Sequence, residues 1–278
     1  MSARLVPTRA VILSLMLSVA VRIAHDASHV SLAAQAPAAP ADRAVERTDA
    51  NSRLAHAELL AKARAGRIDV YFVGDSITRR WGALDYPELL ANWRQNFFGW
   101  NAANFGWGGD TTHHILWRLQ HGELDDVRPK VIVVLAGTNN VGRAPGGGAK
   151  VADIVRGVAA IVDLCRAKAP DATIVVTAIF PRNDSRAVLP EIASINAGIA
   201  KLADGRAIRY LDINDRLADR DGTLVEGVSN DGLHLTVKGY QVWADALKPI
   251  FTEVLGPPAA EDHAPPPTGD PSARRKIG

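Results

Sequence analysis

Five short apolar runs mark the chain: "IDVYFV" (68–73), "AANF" (102–105), "KVIVVLA" (130–136), "ATIVVTAI" (172–179) and "IRYLDI" (208–213). Four of them are rich in β-branched residues and all are too short for helices, so each predicts a strand. Around them, apolar residues recur every three or four positions. This period predicts helices around 51–65, 86–95, 112–120, 150–168, 189–204 and 238–254. The last puts Tyr240, Trp243, Leu247, Ile250, Phe251 and Val254 on one face. Strands that are apolar throughout, rather than at alternate positions, are covered on both sides. The pattern therefore predicts an α/β fold of three layers, with helices on each face of a five-stranded parallel sheet.

No linker and no internal repeat interrupts residues 45–256, which read as one domain. Before it, residues 1–36 read as a targeting segment: Arg4 and Arg9 precede "AVILSLMLSVAV", which has the length of a signal-peptide core and is short for a membrane span. Ser18-Val19-Ala20 and Ala34-Gln35-Ala36 are alternative cleavage sites. The expectation is export to the periplasm or medium, with no stable membrane span in the mature protein; a retained anchor is the alternative. Residues 33–43, "AAQAPAAPADR", read as a flexible lead-in. The tail 257–278 has few apolar residues and is expected to be disordered.

Composition narrows the classes of function. With 32 basic and 30 acidic residues the formal charge is +2, and no basic face or charge run suggests nucleic acid. Cys165 is the single cysteine, which excludes a disulfide framework and a thiolate cluster within one chain. It falls on the apolar stripe of the 150–168 helix and reads as a core thiol.

In open parallel sheets ligands bind beyond the carboxyl ends of the strands, so polar residues just after a strand are site candidates. Four clusters qualify: Gly74-Asp75-Ser76, "NFGWGGDTT" (104–112), Gly137-Thr138-Asn139-Asn140, and "SNDGLHLT" (229–236) with Asp231 and His234 three residues apart. Each also has a local explanation, since Asp75, Ser76 and Asp231 can cap helices and the glycines and asparagines can serve turns. Together they supply a hydroxyl, an imidazole, a carboxylate and several donors at one edge, which is what acyl transfer requires. Ser76 is the candidate nucleophile, His234 its base and Asp231 the group that fixes the histidine tautomer. The backbone N–H groups of Ser76 and Gly109 and the amide of Asn139 are candidate oxyanion donors.

These blocks resemble the four signature blocks of the SGNH (GDSL-type) hydrolases, in order and spacing, from about Tyr71 to Tyr240. Within that family, the longer runs "FVGDS" and "LHLTVKGY" look most like platelet-activating-factor acetylhydrolase catalytic subunits and similar secreted bacterial esterases. The resemblance implies a flavodoxin-like three-layer fold, the triad and oxyanion roles just named, and no metal or organic cofactor. It also implies that side chains matching Ile77, Thr138 and Leu233 close the acyl side of the site. The expected activity is that of a carboxylic ester hydrolase acting on short-chain acetyl esters of carbohydrate or a small lipid. A lysophospholipase or thioesterase, and a non-catalytic carbohydrate-binding relative, are the alternatives. The expected partner is that ester substrate; the oligomeric state is left open by the sequence, with a homodimer among the alternatives.

Other motifs are incomplete. Ser76 lacks the last glycine of G-x-S-x-G, and Thr111 stands where a dinucleotide motif has its third glycine. A metallohydrolase would recruit Asp75, Asp110, His113, His114 and Asn139, but adjacent histidines on a helix point apart. Trp117 and Trp243 fall at core positions, whereas Trp81 and Trp107 flank the polar blocks and are candidates to line a groove, Trp107 as a substrate-binding residue.

Overall fold

Apolar residues at successive strand positions must find a core on both sides of the sheet, because neighbouring side chains point to opposite faces. The computed structural model, which describes residues 39–274, shows this arrangement. In chain order its main elements are α1 (Ala50–Ala63), β1 (Val70–Gly74), α2 (Ser76–Trp81), α3 (Pro87–Phe97), β2 (Ala102–Asn104) and α4 (Thr112–Arg118). There follow β3 (Val131–Leu135), α5 (Thr138–Val141), α6 (Gly147–Lys168), β4 (Thr173–Thr177) and α7 (Leu189–Ile199). The chain continues through β5 (Ile208–Leu211), α8 (Asn214–Leu217), α9 (Val237–Leu255) and α10 (Pro271–Arg274). The sheet is fully parallel in the order β2-β1-β3-β4-β5.

Tyr71, Val73, Ile132, Val134, Ile174 and Val176 enter the core under α1, α4, α6 and α7, which also holds Cys165. Val70, Phe72, Val131, Val133 and Val175 enter the core under α2, α3, α8 and α9. The second core is aromatic: Phe72, Trp81, Trp93, Phe97, Trp243 and Phe251 meet mostly edge to face. Trp81 is fully buried there and its indole N–H donates to Asn92 Oδ1 at 2.9 Å, so it lines no groove. Trp117, by contrast, is not core: it is only partly buried and stacks on His121 at 4.0 Å.

The order of the sheet reverses between β1 and β3, since β1 leads outward to β2 while β3 starts the other half. Gly74 at the end of β1 pairs with Leu135 at the end of β3. The loops leaving these two strands diverge to opposite sides and open the crevice where a site belongs.

Residues 257–274 correct the expectation of a disordered tail. Ala259 N–H donates to Gly99 O at 2.9 Å, Arg67 N–H to His263 O at 3.0 Å, and Leu84 N–H to Thr268 O at 3.1 Å. Asp270 accepts from Asn51 Nδ2 at 2.9 Å. The tail is fastened by hydrogen bonds of its backbone and of Asp262 and Asp270, and its prolines leave less chain entropy to lose, so a count of apolar residues underrates it. The signal-segment expectation for residues 1–36 lies outside the described residues. Among the described residues no helix is long and apolar enough to cross a membrane.

Candidate active site

β1 hands over to α2 through a single residue, Asp75. A Cβ on Gly74 would lie 2.2 Å from Thr78 Oγ1 and 2.4 Å from Leu135 O, so only glycine fits there. Asp75 is the N-cap of α2, its Oδ1 accepting from Ile77 N–H at 2.9 Å. Ser76 is thus the first residue of the helix, and its amide has no intrahelical acceptor. Its Oγ lies 2.9 Å from His234 Nε2.

The histidine is held by its own loop. His234 Nδ1 is 2.7 Å from Asp231 Oδ2, while Asp231 Oδ1 accepts from the N–H groups of His234 at 2.7 Å and Leu233 at 3.0 Å. The spacing of three lets one carboxylate fold the turn and grip the ring together. Gly232, at φ +76°, packs where a Cβ would meet Asp184 N at 2.7 Å.

Blocks two and three are fastened to each other. Asn139 Nδ2 donates to Asp110 O at 2.8 Å, leaving one of its two amide hydrogens uncommitted. Asn140 Oδ1 accepts from Thr112 N–H at 3.0 Å and its Nδ2 donates to Thr112 Oγ1 at 3.0 Å. Trp107 N–H donates to Gly74 O at 3.0 Å, which brings the Gly108-Gly109 turn alongside the end of β1. Gly109 is exposed and Asn139, Ser76 and His234 are half-buried, whereas Asp75, Asp110 and Thr138 beneath them are buried.

The fold therefore unites Ser76, His234 and Asp231, and sets Gly109 and Asn139 at the same edge. Other expected residues fall elsewhere. Ile77 is 1% exposed, sits in the aromatic core, and its carbonyl accepts from Tyr240 Oη at 2.6 Å; it does not wall the acyl side. Trp107 is 7% exposed, with its indole N–H donating to Ser52 Oγ at 2.9 Å and the Arg79 guanidinium over its ring, so it is packed under α1 instead of facing substrate. Thr138 is buried, its carbonyl accepting from Arg182 Nη1 at 3.3 Å, and it supports the Asn139 turn. Leu233 is half-buried beside His234 and alone of the three retains a surface for an acyl group.

Sequence reasoning missed Arg182. Its guanidinium grips Asp184 through two bonds of 2.6 and 2.7 Å and reaches Thr138 O, while Asn183 N–H donates to Gly232 O at 2.7 Å. The segment so braces both the asparagine turn and the histidine loop. The signal was present: "FPRND" follows β4 as the other blocks follow their strands.

Burial lowers the pKa of His234 below the usual histidine value, with the Asp231 bond pulling it partly back up. For Asp231, partial burial pushes the carboxyl up. The His234 N–H, the His234 ring and the Leu233 N–H outweigh this and hold it well below the ordinary range. Burial pushes Asp75 up to about 7, against the Ile77 N–H, with Asp110 adding to the rise. The folded chain thus keeps the Asp75 proton up to about 7, whereas the unfolded chain releases it near ~3.9. Folding takes up a proton in that window, so this group costs stability as pH rises through it. Asp75→Asn, which keeps the oxygen that accepts from Ile77, is expected to melt above wild type near pH 8, with the gap closing toward pH 5. Thermal unfolding at the two pH values checks this; parallel curves at both would contradict it.

Among the described residues no group of three or more His, Cys, Asp or Glu side chains is placed to hold a metal ion. His113 Nδ1 and His114 Nδ1 both lie within 3.1 Å of Thr111 Oγ1, in the cap of α4.

A hydroxyl, an imidazole and a carboxylate joined in series at the carboxyl edge of a parallel sheet define the outline of a serine-type hydrolase. The sequence matches the GDSL-like lipase/acylhydrolase family over residues 72–242. The chain is 33% identical over 218 residues to the platelet-activating factor acetylhydrolase IB subunit alpha1 of Bos taurus, covering 78% of this chain and 89% of that one. It is 35% identical over 192 residues to the human alpha2 subunit, covering 67% and 77%. In fold it is similar to a GDSL-like lipase from Bacteroides thetaiotaomicron, at TM-score 0.59 and 21% identity, over 74% of this chain and 98% of that one. It is also similar to a member of the lipolytic G-D-S-L family from Veillonella parvula, at TM-score 0.54 and 18% identity, over 66% and 98%. The chain belongs to the GDSL-like lipase/acylhydrolase family, and it is a carboxylic ester hydrolase.

Proposed function

We propose that the chain hydrolyses short-chain, acetyl-type esters through an acyl-enzyme on Ser76. The observation that carries the reading is the unbroken series Ser76 Oγ to His234 Nε2 at 2.9 Å and His234 Nδ1 to Asp231 Oδ2 at 2.7 Å. His234 takes the Ser76 proton as the oxygen attacks the ester carbonyl, and the Asp231 carboxylate stabilises the imidazolium. The negative charge on the carbonyl oxygen is met by the N–H groups of Ser76 and Gly109 and the free amide hydrogen of Asn139, each worth ~3 kcal/mol of barrier. His234 then gives its proton to the leaving alcohol, and water repeats the cycle on the acyl-enzyme.

Two things support a short acyl group. Relatives that share a third of this sequence are named acetylhydrolases. Leu233 is branched, half-buried and next to the base in sequence, and we assign it to the acyl side. A clash there costs ~1–3 kcal/mol, about fivefold to 150-fold in rate. In a p-nitrophenyl ester series from acetate to octanoate, acetate is expected to be fastest, and Leu233→Ala is expected to improve the long esters selectively. Octanoate turned over as fast as acetate by the wild type would overturn the short-acyl reading and favour a lipase- or thioesterase-like role.

A cleft of about 380 Å³ lies beside His234, lined by Arg80, Tyr86, Leu89, Asn230 and Val237 among others, and we assign the alcohol part of the ester to it. Its mixed lining suits the polar alcohol part of either an O-acetylated carbohydrate or a small acetylated lipid, which a screen of the two classes separates. We also propose export, supported by Arg4, Arg9 and the apolar run that follows; cell fractionation tests it.

A further inference from the structure

The turn that carries Gly109 is held from outside the family-matched segment. Residues 39–49 precede α1 and run along block two: Val45 N–H donates to His113 O at 3.1 Å, and Thr112 Oγ1 donates to Ala41 O at 2.7 Å. From this strap Arg47 reaches the turn itself. Its Nη1 donates to Gly108 O at 2.5 Å and lies 3.4 Å from Asp110 Oδ1, while its Nε is 3.2 Å from Asp49 Oδ2. Two carboxylates thus aim the guanidinium, and the carbonyl of Gly108 receives its shortest bond.

That carbonyl belongs to the same peptide unit as the Gly109 N–H. The turn runs from Trp107 to Asp110, closed by Asp110 N–H to Trp107 O at 3.3 Å, with Gly109 at φ +78° in its third position. A positive φ there is the mark of a type II turn; type I has the same outer bond but its central peptide turned over. Here the central peptide joins two glycines, and no atom lies within 4 Å of where a Gly108 Cβ would be. Neither glycine has a Cβ to bias that peptide against a flip that would point the Gly109 N–H away.

We propose that Arg47 is a positioning residue for the oxyanion site, pinning the Gly108-Gly109 peptide by its carbonyl and thereby aiming its N–H. A charged donor on the carbonyl oxygen also draws electron density through the amide resonance, which makes the N–H at the other end of the same peptide a stronger donor. The inference rests on the reading of Gly109 as an oxyanion donor. It predicts a loss felt in the transition state and hardly in substrate binding.

The test is steady-state hydrolysis of p-nitrophenyl acetate by Arg47→Ala and Arg47→Lys, each with and without guanidinium chloride at sub-denaturing concentration, with sodium chloride as control. Removing an oxyanion donor outright costs ~10²–10³ in kcat, so Arg47→Ala is expected to lose ~10–100-fold in kcat with KM changed less than ~2-fold. Guanidinium, and not sodium, is expected to restore part of the loss. Arg47→Lys, which keeps a charged donor, is expected to fall between, and it carries the kcat-against-KM test if the alanine variant does not fold. A wild-type kcat in Arg47→Ala, a loss confined to KM, or a lost kcat that guanidinium leaves untouched would overturn the inference. Ser76→Ala separates the two readings: if it stays active the underlying mechanism fails, whereas an inactive Ser76→Ala beside a fully active Arg47→Ala overturns the role of Arg47 alone.

Discussion

Ser76→Ala is expected to lower kcat/KM for p-nitrophenyl acetate by ~10⁴-fold or more, leaving only what binding and the oxyanion site supply. The loss should be chemical and not structural. The hydroxyl is half-buried at the edge of the sheet and its side-chain partner is His234, so its removal opens no cavity in either core. The helix keeps its cap, because that is made by Asp75. Melting temperature is therefore expected to stay close to wild type while turnover disappears. Kinetics and a thermal melt on the same preparation check both halves, and substantial turnover by the folded variant would contradict the mechanism.

Asp231→Asn is expected to be nearly as damaging, by as much as ~10⁴ in kcat on the serine-protease precedent. The substituted amide oxygen can still accept from the Leu233 and His234 N–H groups, so the turn should persist. Its NH₂ then faces His234 Nδ1, which forces the imidazole to carry its proton on Nε2, against the Ser76 hydroxyl that it should deprotonate. The pH dependence carries a second signature. Only neutral His234 can act as base, and burial holds its pKa below the usual value. The acid limb of wild-type kcat/KM is therefore expected below ~6.5, with activity rising as pH increases through it. In Asp231→Asn, which loses the partner that pulls the histidine pKa up, the limb should move further down. A limb above neutrality, or a variant near wild type, would point to another base.

Much of this was legible in the sequence because the physics is local. A parallel strand is buried on both faces, so its residues must be apolar in unbroken runs, and the five runs stood out. Three of the four polar blocks were legible because each begins where a strand stops, and the fourth because it runs into the last helix. What failed depended on direction or on distant partners. Ile77 adjoins Ser76 in sequence, but successive helical residues point ~100° apart, so a neighbour of the nucleophile faces the core instead of the substrate. Trp107 sits inside a signature block, yet its indole is claimed by Ser52 of α1, 55 residues away. The order of the tail was not legible because its attachments are hydrogen bonds of backbone and carboxylate groups, which leave no apolar pattern. Arg182 and Arg47 act on carbonyls that no spacing rule connects to them, although the polar segment after β4 marked the first.

In the proposed mechanism the acyl group rides on Ser76 Oγ. The most direct measurement is labelling with a fluorophosphonate ester, followed by peptide mass spectrometry and an activity assay on the same samples. One phosphonyl group per chain is expected, on the peptide that contains Ser76, with esterase activity lost in step with its incorporation. Loss of activity with the label on a different residue, or full activity after complete labelling of Ser76, would contradict it.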